Sequence, residues 1–353
     1  GLIQRFWQQL SAGIMADLGL GYLRLGQPST TLSGGEARRV KLASELSRQS
    51  SGKTLYIIDE PSAGLHMYDN EILIKALRKL VAKGNTLLCI ENDPFFILNC
   101  DWITDLGPGS GEEGGNIVAE GPVSELIDNT ESVTAEELRR YISRYADKAL
   151  SPDIPAGNDI NNVPVYLKGV TTNNLKDIDV LFPAGSITAV TGISGSGKTS
   201  LVFGTLYAES QRRFLEGMSS RLRQYSVKAG VPALRESRGL IPAVAIKKKN
   251  ATGNPRSTVA TYTGLYDLYR LLYSRLAKST LNTARPLSSA FSFNSEEGAC
   301  EACKGLGAIT VCSENKLVTH PDRPLVSGAL DGTKTGRFYG DPYGRYVATL
   351  LTV

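Results

Sequence analysis

The pattern of apolar and polar residues along the chain predicts helices that alternate with short buried strands. Apolar residues at helical spacing predict helices over residues 1–26, 36–47, 71–82 and 131–150. Short apolar runs predict strands over residues 53–59, 85–91, 102–105, 117–119 and 186–190, and alternation predicts antiparallel strands over 165–182. Strands that alternate with helices indicate an α/β fold with a mostly parallel sheet.

Turn-forming residues divide this pattern into segments. Residues 151–163 are rich in Pro, Gly, Asn and Asp and are predicted to be a linker between domains over residues 1–150 and 164–285. Residues 286–353 are rich in Gly and Ser and are predicted to be irregular. The chain begins without Met and stops without a terminal cap, so we expect it to be a fragment.

Composition fits a globular intracellular protein. The 353 residues are 41% hydrophobic, which is ordinary for globular domains. No apolar run approaches the length of about 18 residues that a membrane-spanning helix needs, and no signal peptide begins the chain. Five cysteines are too few for a disulfide framework, which favours a reducing cytoplasm.

Charge is unevenly distributed. Residues 1–150 carry a net charge of −5 and residues 151–353 a net charge of +9, with +11 concentrated in residues 201–285. Such an excess predicts either a polyanion-binding face or an ordinary solvated helix surface. Lysine and arginine bind phosphates without reading sequence, so the first alternative predicts non-specific DNA contacts. The candidate contacts are Arg212, Arg213, Arg221, Arg223, Lys247, Lys248, Lys249 and Arg256.

Residues 192–199 read GISGSGKT and match the phosphate-loop pattern G-x-x-x-x-G-K-[ST] in full. They follow an apolar run and precede a helical pattern, which is the context that the motif requires. Lys198 is predicted to reach the β- and γ-phosphates, and the Thr199 hydroxyl to bind Mg²⁺. The predicted phosphate-binding residues are Gly192, Ser194, Gly195, Ser196, Gly197, Lys198, Thr199 and Ser200.

Two further motifs resemble ABC-type ATPases. Residues 32–36, LSGGE, resemble the signature loop of that class, and the resemblance implies that Ser33, Gly34, Gly35 and Glu36 act on nucleotide held by an opposite domain. An apolar strand then ends in Asp59 and Glu60. Asp59 is predicted to hold Mg²⁺ through water and Glu60 to act as general base. A simple acidic strand end is the alternative.

The wider sequence resembles the UvrA family, ABC-type ATPases that recognise DNA damage in bacterial nucleotide excision repair. The resemblance lies in residues 21–28 (GYLRLGQP), 32–46, 59–66 (DEPSAGLH), 105–109 (DLGPG), 118–121 (VAEG), 174–176 (NLK), 205–209 (TLYAE), 211–213 (QRR), 254–258 (NPRST) and 291–307. The resemblance implies ATP and Mg²⁺ as cofactors. It implies double-stranded damaged DNA and a UvrB-like repair protein as partners, and a homodimer. It also implies that the chain is not itself a nuclease.

UvrA-like proteins carry two ATPase units in one polypeptide, and this resemblance leaves two arrangements open. In the favoured one, residues 1–150 end one unit and residues 164–285 begin a second. The signature loop then faces residues 192–199, while Asp59 and Glu60 serve a phosphate loop outside the chain. In the alternative, a permuted single unit brings Asp59, Glu60 and Lys198 into one sheet.

Two positions depart from the UvrA pattern. Asn92 stands where the family has His, and Lys248 stands where it has a magnesium-sensing Gln. Asn cannot shuttle charge as imidazole does, and Lys beside Mg²⁺ is expected either to be repelled or to substitute for part of the charge of the ion. Nucleotide binding with weak hydrolysis is therefore one alternative, as in a nucleotide-gated DNA-binding or self-resistance module. A transporter ATPase is a third interpretation, which the basic segment and the UvrA-like motifs disfavour.

Residues 300–303, CEAC, resemble half of a UvrA zinc module. A structural zinc site needs four ligands, and Cys312 and His320 are the nearby candidates that would complete a site begun by Cys300 and Cys303. Two reduced thiols in a turn are the alternative. Cys89 and Cys100 lie in apolar runs and are predicted to be core residues.

Overall fold

In a computed structural model of the chain, the structure describes residues 11–47, 53–145, 163–218, 230–247, 254, 256–276, 286–309, 311, 313–324 and 328–333. The chain divides into two compact units at Leu276. The first unit contains all the strands of the described part. The predicted linker lies outside the described residues except for its last residue, Val163.

The first unit is built on a six-stranded sheet. The strands are β1 (Leu55–Asp59), β2 (Thr86–Ile90), β3 (Trp102–Gly107), β4 (Asn116–Pro122), β7 (Ile187–Gly192) and β9 (Ala243–Ile246). Their order is β4-β3-β7-β2-β1-β9, and only β4 runs antiparallel to its neighbour. A smaller antiparallel sheet has the order β6-β5-β8 and contains β5 (Val165–Val170), β6 (Ile178–Phe182) and β8 (Glu236–Arg238). The α/β fold and its mostly parallel sheet are confirmed.

Helices and the smaller sheet cover opposite faces of the large sheet. The helices of the first unit are α1 (Ser11–Asp17), α2 (Gly34–Ser47), α3 (Met67–Val81), α4 (Pro94–Leu98), α5 (Val123–Ile127), α6 (Val133–Tyr145), a π-helix (Ser200–Tyr207), α7 (Ala208–Glu216), α8 (Val259–Tyr262) and α9 (Leu265–Leu276). In β1, Tyr56 and Ile58 pack into a core with the first helices, whereas Leu55 and Ile57 pack into a second core with β5, β6 and the π-helix. Burial on both faces explains why β1 is a continuous apolar run.

The first predicted helix is too long. Helix α1 ends at Asp17 because Gly19 has a φ of +70°, a left-handed conformation that breaks the helical path. Turns and a 3₁₀ helix (Ser29–Thr31) occupy the following residues up to the signature loop, and residues 1–10 lie outside the described part. The other predicted helices are confirmed where they are described, with bounds shifted by a few residues.

Strands from both sides of the predicted linker share the large sheet. β7 pairs with β2 and β3, and β9 pairs with β1, all in parallel. Residues 1–150 and 164–285 therefore do not form separate sheets in this structure. The shared sheet joins the strand that ends in Asp59 to the strand that feeds the phosphate loop, as the permuted arrangement expects, while the division into parts of two ATPase units stays a prediction.

The second unit, residues 277–353, is described over parts of its length. It contains a 3₁₀ helix (Ser288–Phe291), turns over residues 300–307, and a short helix, α10 (Glu314–Leu317).

Candidate nucleotide site at the carboxyl edge of the sheet

The parallel strands end at a common edge, and the residues that follow them form the candidate site. Asp59 ends β1, Glu91 follows β2, Gly192 ends β7 and Lys247 follows β9. In open α/β sheets, ligands bind outside the carboxyl ends of the strands. The sheet thus brings the predicted acidic pair and the predicted phosphate loop to one edge.

The phosphate loop turns sharply at its glycines. Gly192 has a φ of +125°, and a Cβ there would lie 2.1 Å from the carbonyl oxygen of Leu106. Gly197 has a φ of +110° and lies against Leu175. Thr199 then leads into the π-helix, and Leu201 N–H donates to the Gly197 carbonyl at 2.9 Å. This strand–loop–helix path is the one that surrounds phosphates with backbone N–H groups.

Lys198 folds back onto its own loop. Its Nζ donates to the carbonyl oxygens of Gly192 at 2.5 Å and Ile193 at 2.8 Å. Burial lowers the pKa of Lys198, while the carboxylates of Asp105 and Glu60 act in the opposite direction. The ammonium group is therefore held over the loop and within electrostatic reach of Glu60.

A second glycine-rich loop, residues 107–115, supports the phosphate loop. Gly111 N–H donates to Gly195 at 3.1 Å, and Gly115 N–H donates to Ser196 at 3.0 Å. The Asn174 side chain donates to the Gly195 carbonyl at 3.1 Å. Sequence reasoning did not assign this support. Its signal was the density of glycines immediately after β3.

Glu60 occupies an unusual backbone conformation at the sheet edge. Its φ is +45°, which non-glycine residues rarely adopt. The Glu60 N–H donates to the Ile90 carbonyl at 2.9 Å, and the Arg38 guanidinium donates to the Glu60 carbonyl at 2.6 Å. These two hydrogen bonds hold the turn that carries Glu60, the predicted general base.

Asp105 joins the phosphate-loop strand to helix α6. It is 2% exposed, and its carboxylate accepts hydrogen bonds from the hydroxyls of Ser132 (2.6 Å), Thr134 (2.8 Å) and Thr191 (2.7 Å). Thr191 immediately precedes Gly192, and the other two hydroxyls lie at the start of α6. Sequence reasoning did not single out Asp105, because its hydroxyl partners come from distant segments.

A cavity of about 220 Å³ opens beside the phosphate loop. It is lined on one side by Ile193 and Ser194, on another by Glu91 and Asn92, and on a third by Glu137 of α6. Asn92, the residue that replaces the family's His, is exposed and lines this cavity.

The signature loop begins helix α2 with reciprocal hydrogen bonds. Ser33 N–H donates to Glu36 Oε2 at 2.7 Å, and Glu36 N–H donates to Ser33 Oγ at 3.3 Å, as in a capping box. Tyr22 Oη donates to Glu36 Oε1 at 2.5 Å. This last bond is the main cause that lowers the pKa of Glu36 and raises that of Tyr22. Across the described residues, no hydrogen bond joins residues 33–36 to the phosphate loop.

Two of the candidate DNA contacts are engaged in ion pairs. Arg212 pairs with Glu209 at 2.7 Å and with Glu216, and Arg213 pairs with Glu209 at 2.9 Å. Arg213 also donates a hydrogen bond to the Ser237 hydroxyl at 2.6 Å. Glu209 is 3% exposed, so these guanidinium groups compensate a buried charge.

Lys247 Nζ lies 4.6 Å from the centre of the Phe203 ring, and Arg256 is exposed. Arg221, Arg223, Lys248 and Lys249 lie outside the described residues.

The predicted zinc ligands are described only in part. Cys300 is exposed and Cys303 is half-buried, and the backbone N–H groups of Gly307 and Gly305 are the main causes that lower the pKa of the Cys303 thiol. His320 is half-buried, and Cys312 lies outside the described residues. The described residues contain no group of three or more metal-binding side chains. The zinc site therefore stays a prediction. Cys89 and Cys100 are buried core residues, as predicted.

Comparison with known proteins identifies the relatives. No protein-family model matches the chain. Proteins named UvrABC system protein A match it in Streptomyces avermitilis (40% identity over 298 residues, 84% of this chain and 28% of the relative), Mycobacterium leprae (38% over 303 residues, 86% and 30%) and Methanothermobacter thermautotrophicus (40% over 301 residues, 84% and 29%). The predicted UvrA resemblance is confirmed. The UvrA-like chain spans less than a third of the length of these relatives.

One solved structure also matches, the crystal structure of UvrA2 from Deinococcus radiodurans. It is 36% identical, with 85% of this chain and 34% of that chain covered and a TM-score of 0.34. Within the described part of the UvrA-like chain, no helix is both long and apolar enough to cross a membrane.

Proposed function

We propose that this UvrA-like chain is the ATP-binding part of a cytoplasmic DNA-damage-recognition subunit of nucleotide excision repair. In this role, ATP binding is coupled to sequence-independent engagement of damaged double-stranded DNA. The observation that supports the proposal is the common sheet edge, at which β1 ends in Asp59 and β7 leads into the phosphate loop, with Lys198 within electrostatic reach of Glu60, in a chain similar to UvrABC system proteins.

Each residue at the edge has a distinct role in this proposal. ATP supplies the γ-phosphoryl group whose transfer to water releases energy. Lys198 would exchange its loop carbonyls for β- and γ-phosphate oxygens, and the Thr199 hydroxyl and Asp59 would hold Mg²⁺. Glu60 would accept a proton from the attacking water. Ser33, Gly34, Gly35 and Glu36 would act on nucleotide bound by a second ATPase unit.

The test of the nucleotide site is a titration of the chain with Mg-ATP. Lys198→Ala is expected to lower the affinity by at least about tenfold, as expected for the loss of a hydrogen bond to a charged group. Lys83→Ala, at an exposed lysine next to the amino end of β2, is the control and should bind as the wild type does. Equal affinity of all three chains would contradict a phosphate site at Lys198.

A hydrolysis-deficient, nucleotide-gated module is the second candidate, and exposed Asn92 in the cavity beside the phosphate loop favours it. Under this alternative the wild-type chain binds Mg-ATP but turns it over slowly. Asn92→His would then raise the rate by about tenfold or more, because an imidazole restores proton transfer. If Asn92→His leaves the rate of ATP hydrolysis unchanged, the result favours an active ATPase over the hydrolysis-deficient module.

The DNA-binding role is proposed for the basic segment, and binding measured against salt concentration tests it. Arg256 is exposed, so Arg256→Ala should weaken binding and reduce the salt slope by about one. Lys83→Ala is again the control. Binding that does not respond to salt would exclude phosphate contacts.

A UvrB-like protein and a second copy of the chain are the proposed protein partners. Cys300 and Cys303 would supply two ligands to a Zn²⁺ site.

A further inference from the structure

Glu91 is a buried carboxylate at the centre of the candidate site. It directly follows β2 and is 2% exposed. Its Oε1 accepts from Ser62 N–H at 2.7 Å, and its Oε2 accepts from the N–H groups of Asn92 at 2.9 Å and Asp93 at 3.2 Å. Its own N–H donates to the Val190 carbonyl at 3.2 Å, in the strand that feeds the phosphate loop. One side chain therefore contacts the loops on both sides of it.

The charge of Glu91 is costly to keep at this position. No ion pair compensates it within the part of the chain that the structure describes. Burial raises the pKa of Glu91, although the three N–H groups act in the opposite direction. A buried ionised group without a counter-charge destabilises a fold unless hydrogen bonds offset its desolvation. A neutral side chain of similar size would fill this position in the core at a lower desolvation cost. We therefore attribute the carboxylate to its hydrogen bonds with the two loops.

The two loops bonded to Glu91 carry residues assigned to the nucleotide site. Ser62 lies two residues after Glu60, whose left-handed φ needs support from its surroundings. Asn92 lines the cavity beside the phosphate loop. The Ile90 carbonyl and Arg38 hold the Glu60 backbone from one end of the turn, and Glu91 holds Ser62 at the other.

We propose that Glu91 is a positioning residue that fixes the Glu60 turn against the Asn92 loop at the spacing that ATP hydrolysis requires. This inference rests on the proposed function, because it assumes that Mg-ATP binds at Lys198. Glu91 does not touch the phosphates in this role. It acts through Glu60, since a general base must be held within hydrogen-bond reach of the attacking water.

Glu91→Gln tests the role with little change in volume. The amide keeps one acceptor but directs N–H groups toward backbone donors, so at least one of the two loops is released. Mg-ATP affinity should stay within about threefold of the wild type, because Lys198 and its loop are unchanged. The single-turnover rate of hydrolysis should fall by at least about tenfold, as expected for a misplaced catalytic group.

Glu91→Asp separates charge from reach. It keeps the carboxylate but is one methylene shorter, so it can retain the adjacent bonds to the Asn92 loop while losing Ser62. An intermediate rate is expected. Glu45→Gln, at another buried glutamate, is the control for removal of a buried carboxylate, and it should leave the rate unchanged.

Amide hydrogen exchange gives a readout that does not depend on hydrolysis. The Ser62 amide should exchange slowly in the wild type because it donates to Glu91, and this protection should be lost in Glu91→Gln, while the Ile57 amide in β1 is unaffected. If Glu91→Gln retains both the wild-type hydrolysis rate and the Ser62 protection, the inference is wrong. If the wild type fails to bind Mg-ATP, the proposed function is wrong instead, and the two failures are thereby distinguished.

Discussion

Tyr22 stabilises the carboxylate of Glu36 in the signature loop through one hydroxyl. Its bond to Glu36 is the main cause of the lowered pKa of that carboxyl. A carboxylate with a lowered pKa stabilises the folded loop above its unfolded pKa of about 4.3, and this contribution is lost as the pH falls through the folded pKa. Acid should therefore weaken the cap of helix α2 as Glu36 becomes protonated in the folded state.

Replacing Tyr22 by Phe should raise the pKa of Glu36 toward its ordinary value. The change removes only the hydroxyl, so the ring and the backbone remain in place. The measurement is an NMR titration of the Glu36 carboxyl carbon, with Tyr68→Phe as the control at another exposed tyrosine. An unchanged titration in Tyr22→Phe would mean that the Ser33 bond alone holds the carboxylate.

At the scale of elements, local patterns predicted the strands but not their neighbours. Strands β1, β2 and β7 were predicted from their apolar runs, because a strand that is buried on both faces contains few polar residues. Strands β8 and β9 were not predicted, since they have three and four residues and β9 pairs through its backbone with β1 from far along the chain. The support given by Asp105 to the phosphate loop was also beyond reach, because its three hydroxyl partners come from two distant segments.

The link between α6 and the phosphate loop predicts a large effect for Asp105→Ala. Three buried or half-buried hydroxyls would lose a charged acceptor, so the free energy of unfolding should fall by about 3 kcal/mol. Thr191→Val removes a single one of these bonds and should cost about 1 kcal/mol. Urea unfolding of both variants measures the difference. Equal losses would mean that the bonds from Ser132 and Thr134, which link Asp105 to α6, contribute nothing to stability.

At the scale of the whole molecule, the motifs were predictable but their meeting was not. Residues 192–199 and the pair Asp59–Glu60 each carry their chemistry in a few adjacent residues. Whether they share a sheet depends on pairing between strands more than 90 residues apart, which no local pattern encodes. Among the described residues, the signature loop forms no hydrogen bond to the phosphate loop. The nucleotide site on which the signature loop acts is therefore the next point to test.

A mixing experiment identifies the partner of the signature loop. Lys198→Ala removes the phosphate contact, and Ser33→Arg blocks the signature at an exposed position without disturbing the core. If the signature of one copy completes the site of another, each variant alone is inactive, but a mixed dimer retains one intact site. An equal mixture should then recover about a quarter of the wild-type ATP hydrolysis, because half of the dimers are mixed and each has one working site. A mixture that stays inactive, while each variant still dimerises on a sizing column, would instead mean that the signature and the phosphate loop act within one chain.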